Sequence, residues 1–168
     1  MDFQALYEKN APDVFRFAMY LCGSRSDAED ITAETFVRAW TAGVPIEVAT
    51  VKGYLFTIAR HLFLQGLRRS SRQTTLDADL PDPAPAAARR LEDQVELDAV
   101  LARLQTLPEV DRAALLMRAL EGLPYQEIAV ALGISVASAR VKVHRARARL
   151  MTLRTPAPGA PPPRKGSR

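Results

Sequence analysis

Residues 135–150 read SVASARVKVHRARARL, which sets Arg140, Lys142, Arg145, Arg147 and Arg149 beside His144 with no carboxylate among them. Cations at this density can hold a polyanion, because guanidinium and ammonium groups take phosphate oxygens through charge-assisted hydrogen bonds. An apolar residue recurs every third or fourth place, the period of a helix with one buried stripe. At about 100° per residue, Val136, Ala139, Val143, Ala146 and Leu150 share that stripe, while Ala137, Ser138, Val141, His144, Arg145 and Ala148 point the other way. Arg140, Lys142, Arg147 and Arg149 lie on the two flanks. Small residues at the centre permit close approach and flanking cations suit phosphates on either side, so the pattern is that of a recognition helix in a DNA major groove. The preceding segment, YQEIAVALGI, supplies the partner helix. Ala129 gives a small residue where two helices nearly touch, Gly133 gives the turn, and Ser135 can cap the second helix.

Other chemistry is sparse. His61 and His144 are the only histidines, too far apart in chain and context to suggest a catalytic or metal pair, and Cys22 is the lone cysteine, read as an apolar helix residue. No Cys/His spacing fits zinc, and neither a metal nor a cofactor is expected. No apolar run reaches the roughly 18 residues that a membrane span needs, and MDFQALYEKN lacks a basic-then-apolar signal pattern, which points to the cytoplasm without membrane insertion. Net charge is +4, but blocks 1–60, 61–95, 96–133 and 134–168 carry −2, 0, −3 and +9. Positive charge is thus a property of the C-terminal end, a local polyanion-binding surface and not a general aid to solubility.

The elements that must position these groups are nearly all helical. Helix-period patterning covers most of the chain, and alternating strand patterns with Asn-Gly or Asp-Gly turns are absent. Helices are expected over about 2–22, 27–41, 50–70, 91–105, 107–121, 124–132 and 135–153. Ser26 with Glu29, and Thr106 with Glu109, have the spacing of capping boxes. Residues 71–90 break every periodicity and place three prolines within 81–85, so they read as a linker between an N-terminal domain, 1–70, and a C-terminal helix-turn-helix domain, 91–153. Residues 154–168 read as a disordered Pro-rich basic tail. The fold class expected is all-α, two small helical domains on a flexible tether.

DAEDITAETFVRAW (27–40), KGYLFTIARHLFLQGLRR (52–69) and the C-terminal stretch LPEVDRAALLMRALEGLPYQEIAVALGISVASARVKVHRARARL (107–150) together resemble the extracytoplasmic-function (ECF) group of the sigma-70 family of RNA polymerase sigma factors. The resemblance covers about 3–153. It implies a sigma region 2-like bundle and a sigma region 4-like helix-turn-helix domain, with core RNA polymerase, promoter DNA and an anti-sigma factor as partners. The second helix would lie against the coiled coil of the polymerase beta-prime subunit, with Asp30, Glu34, Arg38 and Trp40 in the contact. Ile31, Phe36, Val37 and Trp40 also read mostly as core, and Ala33 stands where the family usually has Gln. The third helix would read and open the minus-10 element with Tyr54, Phe56, Arg60, His61, Gln65, Arg68 and Arg69, the loop 41–50 forming a flipped-base pocket. Tyr54 and Phe56, aromatics at helical spacing, read as core as readily as DNA contacts. His61 and Gln65 replace the common Asn and Asp. At the minus-35 element the resemblance places Ser138, Arg140, Val141, Lys142, His144, Arg145, Arg147 and Arg149. An arginine fork fits guanine O6 and N7, so Arg140 and Arg145 are the candidates for base readout, with Lys142 and Arg147 near phosphates. The beta flap would carry the C-terminal domain. Two other readings stay open: a helix-turn-helix regulator acting without polymerase, and a sigma-like adaptor that only docks on partners.

Overall fold

In the computed structural model, which describes residues 2–43, 50–72 and 88–152, the chain forms seven helices: α1 (Phe3–Cys22), α2 (Arg25–Ala42), α3 (Val51–Arg72), α4 (Ala88–Gln105), α5 (Glu109–Glu121), α6 (Tyr125–Leu132) and α7 (Val136–Thr152). No strand occurs among the described residues, in agreement with the expected all-α class. Most of the Pro-rich linker, the loop after Gly43 and the C-terminal tail lie outside the described residues.

Helix ends follow local chemistry, not always at the expected residue. Asp2 caps α1, its Oδ1 accepting from the Ala5 N–H at 2.7 Å, and Gly23 ends it at φ 73° with its N–H on the Met19 carbonyl. The α2 cap is Ser24, not Ser26. Ser24 Oγ takes the Asp27 N–H at 3.3 Å because Gly23 already turns the chain, so the next hydroxyl meets the first free donor. The second capping box also fails to form: Pro108 precedes α5 without a side-chain cap, and the Thr106 hydroxyl donates back to the Arg103 carbonyl. Proline presets the helical entry, which leaves Glu109 free for another partner.

Helices α1, α2 and α3 pack around Phe17, Leu21, Phe36, Leu55, Phe56, Ala59 and Phe63, with Phe17 and Phe56 stacked at 4.6 Å. Helices α5, α6 and α7 close on Leu116, Met117, Ile128, Val143 and Ala146. These two cores are continuous. Helix α5 rests on α1, and α6 on α3. Polar contacts seal the seam. Arg60 Nε and Nη2 donate to Glu109 Oε1 and Oε2 at 2.7 and 2.9 Å, and the Thr50 hydroxyl, which also caps α3, donates to Glu127 at 2.6 Å. Glu121, whose side chain is only 4% exposed, receives Arg16 at 2.6 Å and Lys52 at 3.2 Å, and both cations also reach Asp13. Hydrogen bonding to Glu121 raises the Arg16 pKa and hydrogen bonding to Asp13 raises that of Lys52, so both remain charged at any ordinary pH. Arg112 sits buried over the Phe63 ring and donates to the Leu104 and Leu107 carbonyls; burial lowers its pKa. The acidic excess of residues 96–133 is therefore spent partly on cations of the N-terminal half. Cys22 is half-buried and burial pushes its thiol pKa up, consistent with an apolar helix residue.

Candidate nucleic-acid interface

The turn between α6 and α7 depends on one residue. Gly133 adopts φ 65°, and its N–H and that of Ile134 close onto the carbonyls at the end of α6. A Cβ at Gly133 would meet nothing within 4 Å, so only the left-handed backbone demands glycine. Gly133→Ala should cost roughly 1–2 kcal/mol and Gly133→Asn less, since Asn tolerates this region. Urea denaturation of the three proteins checks this; equal stability of the Ala and Asn variants would contradict it.

Ser135 Oγ accepts the Ser138 N–H at 3.1 Å and starts α7. Ala139, Val143 and Ala146 are buried against α5 and α6, with Val136 and Leu150 partly so, and Arg140, Val141, His144, Arg145, Arg147, Ala148 and Arg149 are exposed. Ser138 and Lys142 are half-covered. The expected stripe is thus realised, and the outward face is exposed except at Ser138.

Three residues that sequence reasoning did not single out support this face. Tyr125, the first residue of α6, lies under two guanidinium groups, Arg118 at 4.7 Å and Arg140 at 5.4 Å from the ring centroid, which steadies Arg140 at the edge of the outward face. Asp111, on α5, approaches Lys142 at 3.6 Å and Arg145 at 3.9 Å. Asp111 and Arg118 lie on α5 and Tyr125 on α6, so no spacing within α7 marks them.

The seven residues expected at the minus-10 element divide. His61, Gln65, Arg68 and Arg69 are exposed along one side of α3, and Tyr54 is half-buried. Phe56 is fully buried against Phe17, as its core reading expected, and Arg60 is buried in its bidentate pair with Glu109. Neither is presented to solvent in this conformation. The loop expected to hold a flipped base falls mostly outside the described residues.

On α2, Asp30, Glu34 and Arg38 are exposed, and Arg38 Nε donates to Glu34 at 2.9 Å. Phe36 is buried and Ile31 partly so, but Val37 and Trp40 do not belong to the core as their apolar character suggested. They are 54% and 50% exposed, because among the described residues no helix packs fully over the α2 face they occupy. Trp40 instead meets Phe3 edge-on at 5.6 Å, and Phe3 stacks on Tyr7. Ala33 lines a shallow groove of about 440 Å³ between α1 and α2, with Tyr7, Pro12 and Phe15 on its other wall. Among the described residues no cluster of His, Cys, Asp or Glu could hold a metal ion, and no helix is long and apolar enough to cross a membrane.

Two family models match the chain: sigma-70 region 2 over residues 6–73 and sigma-70 region 4 over residues 97–150. The ECF RNA polymerase sigma factor SigM of Bacillus subtilis is 32% identical over 155 residues, covering 91% of this chain and 95% of SigM. The chain belongs to the ECF sigma factors of the sigma-70 family. A second ECF sigma factor, SigE of Mycolicibacterium smegmatis, is 36% identical over 152 residues, and the match takes in 86% of this chain but only 58% of SigE. Among solved structures, the sigma factor RpoE in complex with the anti-sigma factor NepR from Bartonella quintana superposes with a TM-score of 0.70 at 25% identity, covering 90% of this chain and 96% of that one. CnrH in complex with the cytosolic domain of CnrY shares the fold at a TM-score of 0.67 and 24% identity, covering 90% and 86%. In ECF terms, α1–α3 form the region 2 body and α4–α7 carry region 4.

Proposed function

We propose that this ECF sigma factor is a promoter-specificity subunit that binds core RNA polymerase, directs it to promoters bearing minus-35 and minus-10 elements, and carries no catalysis of its own. The observation that carries the reading is the outward face of α7, where Val141, His144, Arg145 and Ala148 stand exposed between flanking arginines. Flank cations position such a helix on phosphates, and central side chains read base edges. The exposed stripe His61, Gln65, Arg68 and Arg69 would take the minus-10 strand. His61 and Gln65, which differ from the usual Asn and Asp, should give it a sequence preference of its own. The uncovered face of α2, with Asp30, Glu34, Arg38 and Trp40, suits the beta-prime coiled coil, since an exposed aromatic ringed by charge is the composition of an interface anchor. The beta flap is the proposed support for α4–α7. An anti-sigma factor is the proposed regulator, because the sigma factor RpoE of Bartonella quintana, which has the same fold, is found in complex with one. The site of action is the cytoplasm, with the polymerase.

Gel filtration with purified core polymerase should show co-migration, and run-off transcription should give a defined start. A chain that elutes free of polymerase would instead be a DNA-binding regulator, and one that co-migrates without a specific transcript would be an adaptor. Arg145→Ala is expected to weaken promoter binding by roughly 1–3 kcal/mol and to relax sequence choice, whereas Lys142→Ala lowers affinity evenly and reduces the salt slope by about one. Binding titrations on promoter and random duplexes at several salt concentrations check both.

A further inference from the structure

Asp111 is the third residue of α5, and its side chain is 2% exposed beneath α7. Its Oδ1 faces Lys142 Nζ at 3.6 Å and its Oδ2 faces Arg145 Nη1 at 3.9 Å. Both separations are longer than a hydrogen bond, and among the described residues Oδ2 accepts none. A carboxylate at the start of a helix gains from the helix dipole even when exposed, so that role gives no reason to bury it. Burial with an unbonded oxygen costs free energy, and the groups close enough to offset it are the two cations of α7. Lys142 and Arg145 are three residues apart on one helix and so flank this single anion from adjacent turns. The arrangement treats them differently. Lys142 is drawn down and keeps 23% of its side-chain exposure, while Arg145 keeps 53% with Nη1 beside the carboxylate.

We propose that Asp111 is a positioning residue for promoter recognition, a buried anion that cancels one positive charge of α7 and orients the Arg145 guanidinium towards base edges. This rests on the assignment of α7 to the minus-35 element. Without Asp111, Lys142 and Arg145 are free to follow the nearest phosphate, which raises affinity for any sequence. With it, the central part of the helix keeps only as much charge as docking requires, and a fork already aimed loses less entropy on meeting guanine. Asp111 touches no DNA itself.

The test uses the full chain bound to core polymerase, with a fluorescent duplex of a promoter mapped by transcript 5′-end sequencing and the same duplex with its minus-35 element scrambled. Asp111→Asn, which keeps the shape and removes the charge, should bind the scrambled duplex more tightly, steepen the salt slope by about one, and reduce discrimination between the duplexes about tenfold. Asp111→Glu, which keeps the charge, should keep the parent salt slope, and this variant serves as the control for folding. In an Arg145→Ala background, Asp111→Asn should change discrimination no further. An equal loss of discrimination with and without Arg145, or an unchanged salt slope in Asp111→Asn, would assign Asp111 to packing alone and overturn the proposal. If Arg145→Ala by itself lowers binding to both duplexes equally, the base-reading role of Arg145 fails first and takes the proposal with it.

Discussion

Phe56→Ala should destabilise the protein by about 3–5 kcal/mol, the loss expected when a fully buried phenylalanine leaves a cavity that its neighbours cannot fill. The ring stacks on Phe17 at the centre of the α1–α3 core, and Leu55 and Ala59, beside it on α3, are equally buried. Phe56→Leu keeps much of the volume and should cost under about 1.5 kcal/mol. This pair of variants separates the two roles open to the residue. If Phe56 stacks on an unpaired promoter base, its replacement by leucine removes an interaction worth roughly 1–3 kcal/mol per base, and promoter opening suffers although the fold survives. If it is core, open-complex formation by Phe56→Leu stays near the parent level at temperatures where both proteins are folded. The burial of Phe56 favours the second outcome. Chemical denaturation gives the stabilities, and permanganate reactivity of promoter thymines gives the opening.

Glu109→Gln is the second large effect. Arg60 and Glu109 keep 11% and 18% of their side-chain exposure, and their bidentate pairing joins the region 2 body to region 4. Removing the negative partner leaves Arg60 covered and uncompensated, which should weaken the docking of the two halves by about 3 kcal/mol. The chain can avoid that cost by opening the seam, so small-angle scattering should show a larger radius and trypsin should gain access to Arg60. Salt alone should not do the same, because a covered pair is screened far less than exposed pairs such as Arg25–Glu29. An opened chain presents Arg60 to solvent. If Arg60 contacts the minus-10 strand, Glu109→Gln should therefore bind promoter at least as well as the parent once polymerase is present. Arg60→Ala should open the seam equally but bind less well. Unchanged scattering for both variants would show that Arg60 and Glu109 do not hold the halves together.

The sequence was most legible where local period and burial agree. The stripe Val136, Ala139, Val143, Ala146 and Leu150 could be placed on one side of α7 because a helix repeats its faces at a fixed angle, and no neighbour changes that angle. Gly133 could be placed in the turn because few other residues adopt positive φ without strain. The failures have equally local causes. Ser26 has the right spacing from Glu29 for a cap, but the chain turns earlier, at Gly23, and Ser24 reaches the first free N–H before it. Val37 and Trp40 are apolar and at helical spacing, yet the pattern cannot say whether another helix will cover them.

The sequence by itself determined an all-helical chain, the helix-turn-helix, the concentration of charge at its C-terminal end and the family to which it belongs, since each is written in residues near one another along the chain. Tertiary structure alone decided which predicted contacts are free to act. Phe56 lies inside, Arg60 is held by a glutamate 49 residues away, and Asp111 and Tyr125 come from other helices to sit beside the cations of α7. Periodicity fixes the direction of a side chain relative to its own helix, but the group it meets there depends on how helices distant in sequence pack, and that is set by the shape of the whole core.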